Sequence, residues 1–122
     1  MHRKTLRFRH GFHLALGNKQ SQAAEMTLAP GETEGGPENN HHGSDQWLYV
    51  VEGTGQAVIN GHRYPLRPGS LILIERGDQH EVRAGKNSPL KTLNIYVPPA
   101  YQDEETELPA GRPSEFTKRQ RR

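Results

Sequence analysis

Glycine and proline punctuate the chain closely enough to argue against long helices. Thirteen glycines and nine prolines are spread along it in short punctuating groups. Between them lie short apolar runs: AEMTL, QWLYVVEG, QAVIN, HRYPL, LILIE, a segment starting at His80, and LKTLNIYV. No apolar repeat at helical spacing persists across these runs. RPGS, RGDQ and GKNSP read as turns and loops, and Asn60-Gly61 is the strongest hairpin signal, because both residues of such a turn must accept positive φ. About eight or more short strands at this spacing predict an all-β protein, a small antiparallel β-barrel or sandwich.

With 122 residues, 31% of them hydrophobic, the chain can close one modest core. The expected organisation is an N-terminal strand or arm over 1–20, a barrel over 21–98, and an extended, partly disordered basic tail over 99–122. The absence of cysteine excludes disulfide scaffolds, zinc fingers and thiol nucleophiles, so any metal must be held by His, carboxylate or amide groups. No run approaches the roughly 20 apolar residues that span a bilayer. The basic start MHRKTLRFRHG is not followed by the apolar core of a signal peptide, so a cytoplasmic protein without a membrane partner is expected.

The net charge of +2 is concentrated at the ends, in MHRKTLRFR and TKRQRR. No recognition helix or aromatic RNA-reading strand accompanies it, so the ends read as solvated tails rather than as a nucleic-acid surface. Were they to hold an anionic partner, binding would fall steeply with salt and vanish on deletion of residues 113–122. In QWLYVV both faces are apolar, with Leu48 and Val50 on the Gln46 side and Trp47, Tyr49 and Val51 on the other. A strand with one wet face would alternate. The Trp47 face is therefore expected to be covered, by the N-terminal strand or by a second subunit of a homodimer.

Residues 36–84 carry two spaced motifs. Gly36 is followed after five residues by His42, then by Gln46 and, six residues further, by Gly53 in an EG pair. Gly69 is followed by Glu75, Gly77, His80 and Ala84. This spacing resembles the two motifs of the cupin superfamily. The first runs Gly, five residues, His-x-His, three or four residues, Glu, six residues, Gly. The second runs Gly, five residues, Pro-x-Gly, two residues, His, three residues, Asn. Glu75 stands where the second has Pro, and Ala84 where it has Asn. The resemblance implies a jelly-roll-like barrel, or double-stranded β-helix. Inside it three imidazoles and a carboxylate converge on a divalent metal, leaving positions open for substrate or water.

Carried over residue by residue, the second histidine is His42 if three residues precede the Glu position, or His41 if four do. The preceding ligand position then holds Asn40 or Asn39, Gln46 replaces the carboxylate, and His80 matches the late histidine. His41 and His42 cannot both point inward on an extended strand. Asp45 would face away from Gln46 unless a bulge reverses it. The implied metal set is His42 or His41, His80, Gln46 and Asn40, suited to Zn, Ni, Fe or Mn.

Replacing acid by amide keeps an oxygen donor and removes a charge. A bound dication would keep its full charge, so the metal should be held more weakly and an anionic substrate more tightly. An obvious general base is lost as well. The resemblance implies two functions: a metal-dependent, oxygenase- or isomerase-like reaction on a small anionic or enolisable molecule, or non-catalytic binding of a small molecule or carbohydrate in a neutral pocket of Asn40, His42, Gln46 and His80.

Tyr96, Asn94 and Met26 are candidate substrate-binding residues. Tyr96 would orient a substrate by its hydroxyl if it faces the cavity, and otherwise sits in solvent or at the core edge. Glu25 and Met26 are alternatives for the pocket mouth. His2, His10, His13 and His62 lack a partner at ligand spacing and read as surface residues. Glu52-Gly53-Thr54-Gly55 is not a phosphate loop, since no helix follows it.

Overall fold

In the computed structural model, which describes residues 1–36, 43–103 and 106–108, the short apolar runs pair as antiparallel strands. The strands are β1 (Gly11–Gly17), β2 (Gln22–Leu28), β3 (Thr33–Gly36), β4 (Asp45–Glu52), β5 (Gly55–Ile59), β6 (His62–Leu66), β7 (Leu71–Ile74), β8 (His80–Ala84), β9 (Leu90–Val97), β10 (Tyr101–Asp103) and β11 (Thr106–Glu107). One sheet has the order β1-β2-β9-β4-β7, the other β3-β8-β5-β6, and β10 and β11 form a small ribbon. The chain crosses repeatedly from one large sheet to the other, which is the winding of a double-stranded β-helix. The all-β barrel expected from the sequence is therefore the fold. Among the described residues no helix is long and apolar enough to cross a membrane.

The Asn60-Gly61 turn forms as its chemistry requires. Both residues have positive φ, +50° and +85°, and close β5 onto β6 with Ile59 opposite His62. The EGTG stretch owes its glycines to close packing. A Cβ at Gly53 would lie 2.0 Å from Pro89 O, and one at Gly55 would lie 2.0 Å from Arg83 O.

Strand register sorts the interior into two ends. Leu28 and Leu90 face one another, as do Met26, Thr92 and Val50 along the next level. Leu28, Leu90, Met26 and Val50, with Leu48, Ala57, Leu66, Val82 and Ala84, form an apolar plug. Towards the other end the inward positions become Asn94, Gln46 and Tyr96 on one sheet and His80 on the other, where it pairs with Gly36 and Ile59. Polarity is thus confined to one end of the barrel.

The outward face carries a second apolar band. Trp47, Tyr49, Leu71 and Leu73 lie on adjacent strands and are each about half exposed. β1 does not cover them; it pairs with β2 at the opposite edge of the sheet. The segment before β1 docks over β2 instead. Glu25 accepts a hydrogen bond from the Phe8 N–H, and Thr27 donates to the Phe8 carbonyl at 2.9 Å. Both outward-facing side chains are buried as a result.

The chain beyond Val97, expected to be an extended arm, is anchored as far as β10. Gln22 Oε1 accepts from the Ala100 and Tyr101 amides at 3.1 and 3.0 Å, and its Nε2 donates to Tyr101 O at 2.9 Å. The Tyr101 ring packs on Phe12 and, edge-on, on Tyr96, with centroids 4.8 and 5.3 Å apart. Side chains from distant parts of the chain hold this segment, including Ser44, whose hydroxyl donates to Pro99 O at 3.3 Å, so it left no periodic trace in the sequence.

Candidate functional site

The polar end of the barrel is built on β4 and β9. Gln46 is the first inward residue of β4, opposite Ile74 on one side and Tyr96 on the other, and is 4% exposed. Its Nε2 donates to Asn94 Oδ1 at 2.9 Å. Asn94 Nδ2 donates to Thr92 Oγ1 at 3.0 Å, and that hydroxyl donates to the Met26 carbonyl at 3.2 Å. Thr92 and Asn94 are fully buried. The chain ends at Gln46 Oε1, which is buried and has no hydrogen-bond partner among the described residues. Leaving a buried acceptor unmet costs about 1–3 kcal/mol.

His80 enters from the opposite sheet and is 5% exposed. Its Nδ1 lies 3.3 Å from the Asp78 carbonyl. A carbonyl only accepts, so an N–H at Nδ1 meets it. The loop before it is tied down. Asn60 Nδ2 donates to Asp78 Oδ1 and Asn60 Oδ1 accepts from the Gln79 amide, both at 2.9 Å, while Asp78 Oδ2 accepts from the Glu75 amide at 2.9 Å. This loop runs from Ile74, the partner of Gln46, to His80, so both residues stand at one end of the barrel. A cleft of about 210 Å³ there is lined by His80, Gly36, Asn60, Gly61 and Gln79 among others.

The other sequence candidates fall as follows. Asp45 faces away from Gln46, and its Oδ1 accepts from the Arg76 backbone amide at 3.0 Å and from Arg76 Nε at 3.3 Å. Tyr96 is buried at the core edge, in the small cluster with Ala24 and Ala100. The Met26 side chain lies in the apolar plug, and only its carbonyl reaches the polar chain. Glu25 lies under the N-terminal segment on the opposite face. Asn39, Asn40, His41 and His42 lie outside the described residues, between Gly36 and Gly43. Among the described residues no group of three or more His, Cys, Asp or Glu stands together as a metal cluster.

Sequence reasoning missed Thr92 and the Asn60–Asp78 tie. Thr92 was open to discovery, since it lies two residues before Asn94 and so shares its face. The tie joins residues 18 apart across two loops, which no local pattern shows.

Comparison with known proteins bears on the same residues. The profile of the cupin domain matches residues 24–96. L-ectoine synthase of Aliivibrio fischeri is 34% identical over 53 residues, which are 43% of this chain and 41% of that enzyme. The tetracenomycin polyketide synthase protein TcmJ of Streptomyces glaucescens is 28% identical over 79 residues, covering 65% of this chain and 52% of that protein. The chain therefore spans only about half or less of the length of these relatives. A cupin protein from Bacteroides fragilis superposes with a TM-score of 0.69 at 18% identity, over 79% of this chain and 83% of that one.

Proposed function

The chain belongs to the cupin domain family, and from that premise we propose that it binds a small organic molecule at the polar end of its barrel, with a divalent transition metal as electrophile. The observation that carries this reading is the buried, unpartnered Gln46 Oε1. It and the His80 imidazole offer one oxygen and one nitrogen donor, a pair that suits Zn, Ni, Fe or Mn. His42 or His41, with Asn40, is proposed to complete the set. When bound, such an ion supplies Lewis acidity and a template for the substrate.

The chain's own groups do the rest. Gln46 and His80 hold and orient, since an amide takes no proton and an imidazole whose second nitrogen is on the ion has no lone pair left for one. Tyr96 and Asn94 shape the wall on the β9 side. The substrate is proposed to be anionic or enolisable and the reaction oxygenase- or isomerase-like. That one relative is named as a synthase supports turnover. The unit proposed to carry the site is the barrel over 21–98, with 1–20 as its N-terminal strand and arm and 99–122 as a tail. A homodimer is proposed to cover the Trp47 face, which the described residues leave open.

A second reading is binding without turnover, in a neutral pocket of Asn40, His42, Gln46 and His80. Elemental analysis of untagged protein purified without chelator decides between them. Near-stoichiometric metal that disappears in His80→Ala and is held more tightly in Gln46→Glu supports the metal site. Protein that is empty and refuses added Zn, Ni, Fe and Mn leaves only the ligand-binding barrel.

A further inference from the structure

The direction of the buried hydrogen-bond chain is set by its far end. The Met26 carbonyl can only accept, so the single proton of Thr92 is spent on it. Thr92 Oγ1 must then receive from Asn94, which is why Asn94 turns its amino group to Thr92 and its oxygen to Gln46. Gln46 must answer with its own amino group. If the Gln46 amide turned over, two carbonyl oxygens would face each other across 2.9 Å. Every link is buried, so water does not compensate a reversal.

We propose that Thr92 and Asn94 are positioning residues that lock Gln46 as an obligate acceptor, so that whatever binds there meets it with an electropositive group: a protonated amine, a hydroxyl proton or a bound cation. A carboxylate or carbonyl oxygen is turned away from the same corner. This inference rests on the reading that the polar end of the barrel is the binding site, and it adds the polarity of the bound group. It also explains why an amide suffices there. An amide on a free tether would present either end, whereas this one has an N–H committed to Asn94 and its oxygen left over.

The test uses the full-length protein labelled with ¹⁵N, in wild-type, Thr92→Ser and Thr92→Val forms. Before any ligand is added, the lock predicts one well-dispersed Gln46 side-chain amide pair in wild type and Thr92→Ser. In Thr92→Val, with the backbone amide spectrum otherwise retained, that pair shifts or doubles. An unchanged pair in a folded Thr92→Val protein would overturn the lock, independently of whether the site binds anything.

The probes are then Zn²⁺ alone, ethylammonium and acetate. Zn²⁺ or ethylammonium is expected to move the wild-type Gln46 signals, and the two are distinguished by whether a chelator reverses the effect. Acetate is expected to bind at least about tenfold more weakly, the worth of one hydrogen bond made rather than opposed. Equal or tighter acetate binding at Gln46 in wild type would refute the proposed polarity. If Thr92→Val fails to fold, this wild-type comparison still decides. Gln46 signals that respond to none of the three would overturn the binding claim, leaving the lock to the ligand-free spectra.

Discussion

Gln46 shows how far a single position can be read. Alternation along β4 placed it inward beside Leu48 and Val50, and its burial agrees. Its partner Asn94 lies 48 residues away, so the chain that orients it was invisible without the sheet register. Gly55 is a simpler case. Gly55→Ala would push a methyl against Arg83 O, and a loss of about 1–3 kcal/mol is expected in urea unfolding. A loss well under that range would mean the β5–β8 pair can part to admit it. Glu32 gives the acid response. Its carboxyl is held below the ordinary range, first by the Ala29 amide and then by His10. A lowered folded-state pKa contributes stability above the unfolded-state value, and that stability is lost as pH falls through the folded one. The deficit of Glu32→Gln is therefore expected to be present at neutral pH and to shrink below about pH 4. It should amount to no more than a few tenths of a kcal/mol on so exposed a pair. Thermal melts across that range measure it, and a deficit that grew on acidification would contradict the assignment.

At the scale of elements, the hairpin of β5 and β6 was the clearest signal in the sequence, and it does more than reverse the chain. Asn60 supplies a positive-φ turn residue and, with the same side chain, fastens the loop that carries His80. Asn60→Gly keeps the turn and removes the fastening. Amide exchange at Gln79 is expected to quicken by about an order of magnitude, in line with the loss of the hydrogen bond that Asn60 Oδ1 accepts from it. Unchanged protection would show that Asp78 holds the loop by itself. β3, by contrast, left no apolar signature, because Thr33–Gly36 has no apolar side chain and joins its sheet by main-chain pairing with β8. On the outer face, β4 and β7 together expose Trp47, Tyr49, Leu71 and Leu73. Leu73→Glu places a charge in the middle of this band and is expected to convert a dimer to a monomer in sedimentation velocity. A wild-type protein that already sediments as a monomer would remove the dimer from consideration.

For the molecule as a whole, the resemblance in residues 36–84 was enough to imply the barrel, and the register then showed what it could not: an apolar plug at one end and a polar end opposite. Under the proposed reading, stability and binding fall to different ends. A ligand or Zn²⁺ at about a hundred times its dissociation constant contributes about 2.7 kcal/mol to the folded state. For a domain of this size, that should raise the melting temperature by roughly 10 °C. The rise should be lost in His80→Ala, while a destabilising change in the plug should lower the baseline without abolishing it. A shift that survives His80→Ala would place the ligand elsewhere.

The single proton of Thr92 also bears on how such a site can change over generations. An acid at position 46 needs Asn94 to offer its amino group, which turns the Asn94 oxygen to Thr92 and leaves two acceptors, that oxygen and the Met26 carbonyl, competing for one hydroxyl. Substitutions at 46 and 92 are therefore epistatic. A lineage passing from amide to acid travels more easily if a second donor at 92 arrives first, so the order of the two steps decides which of them selection can see.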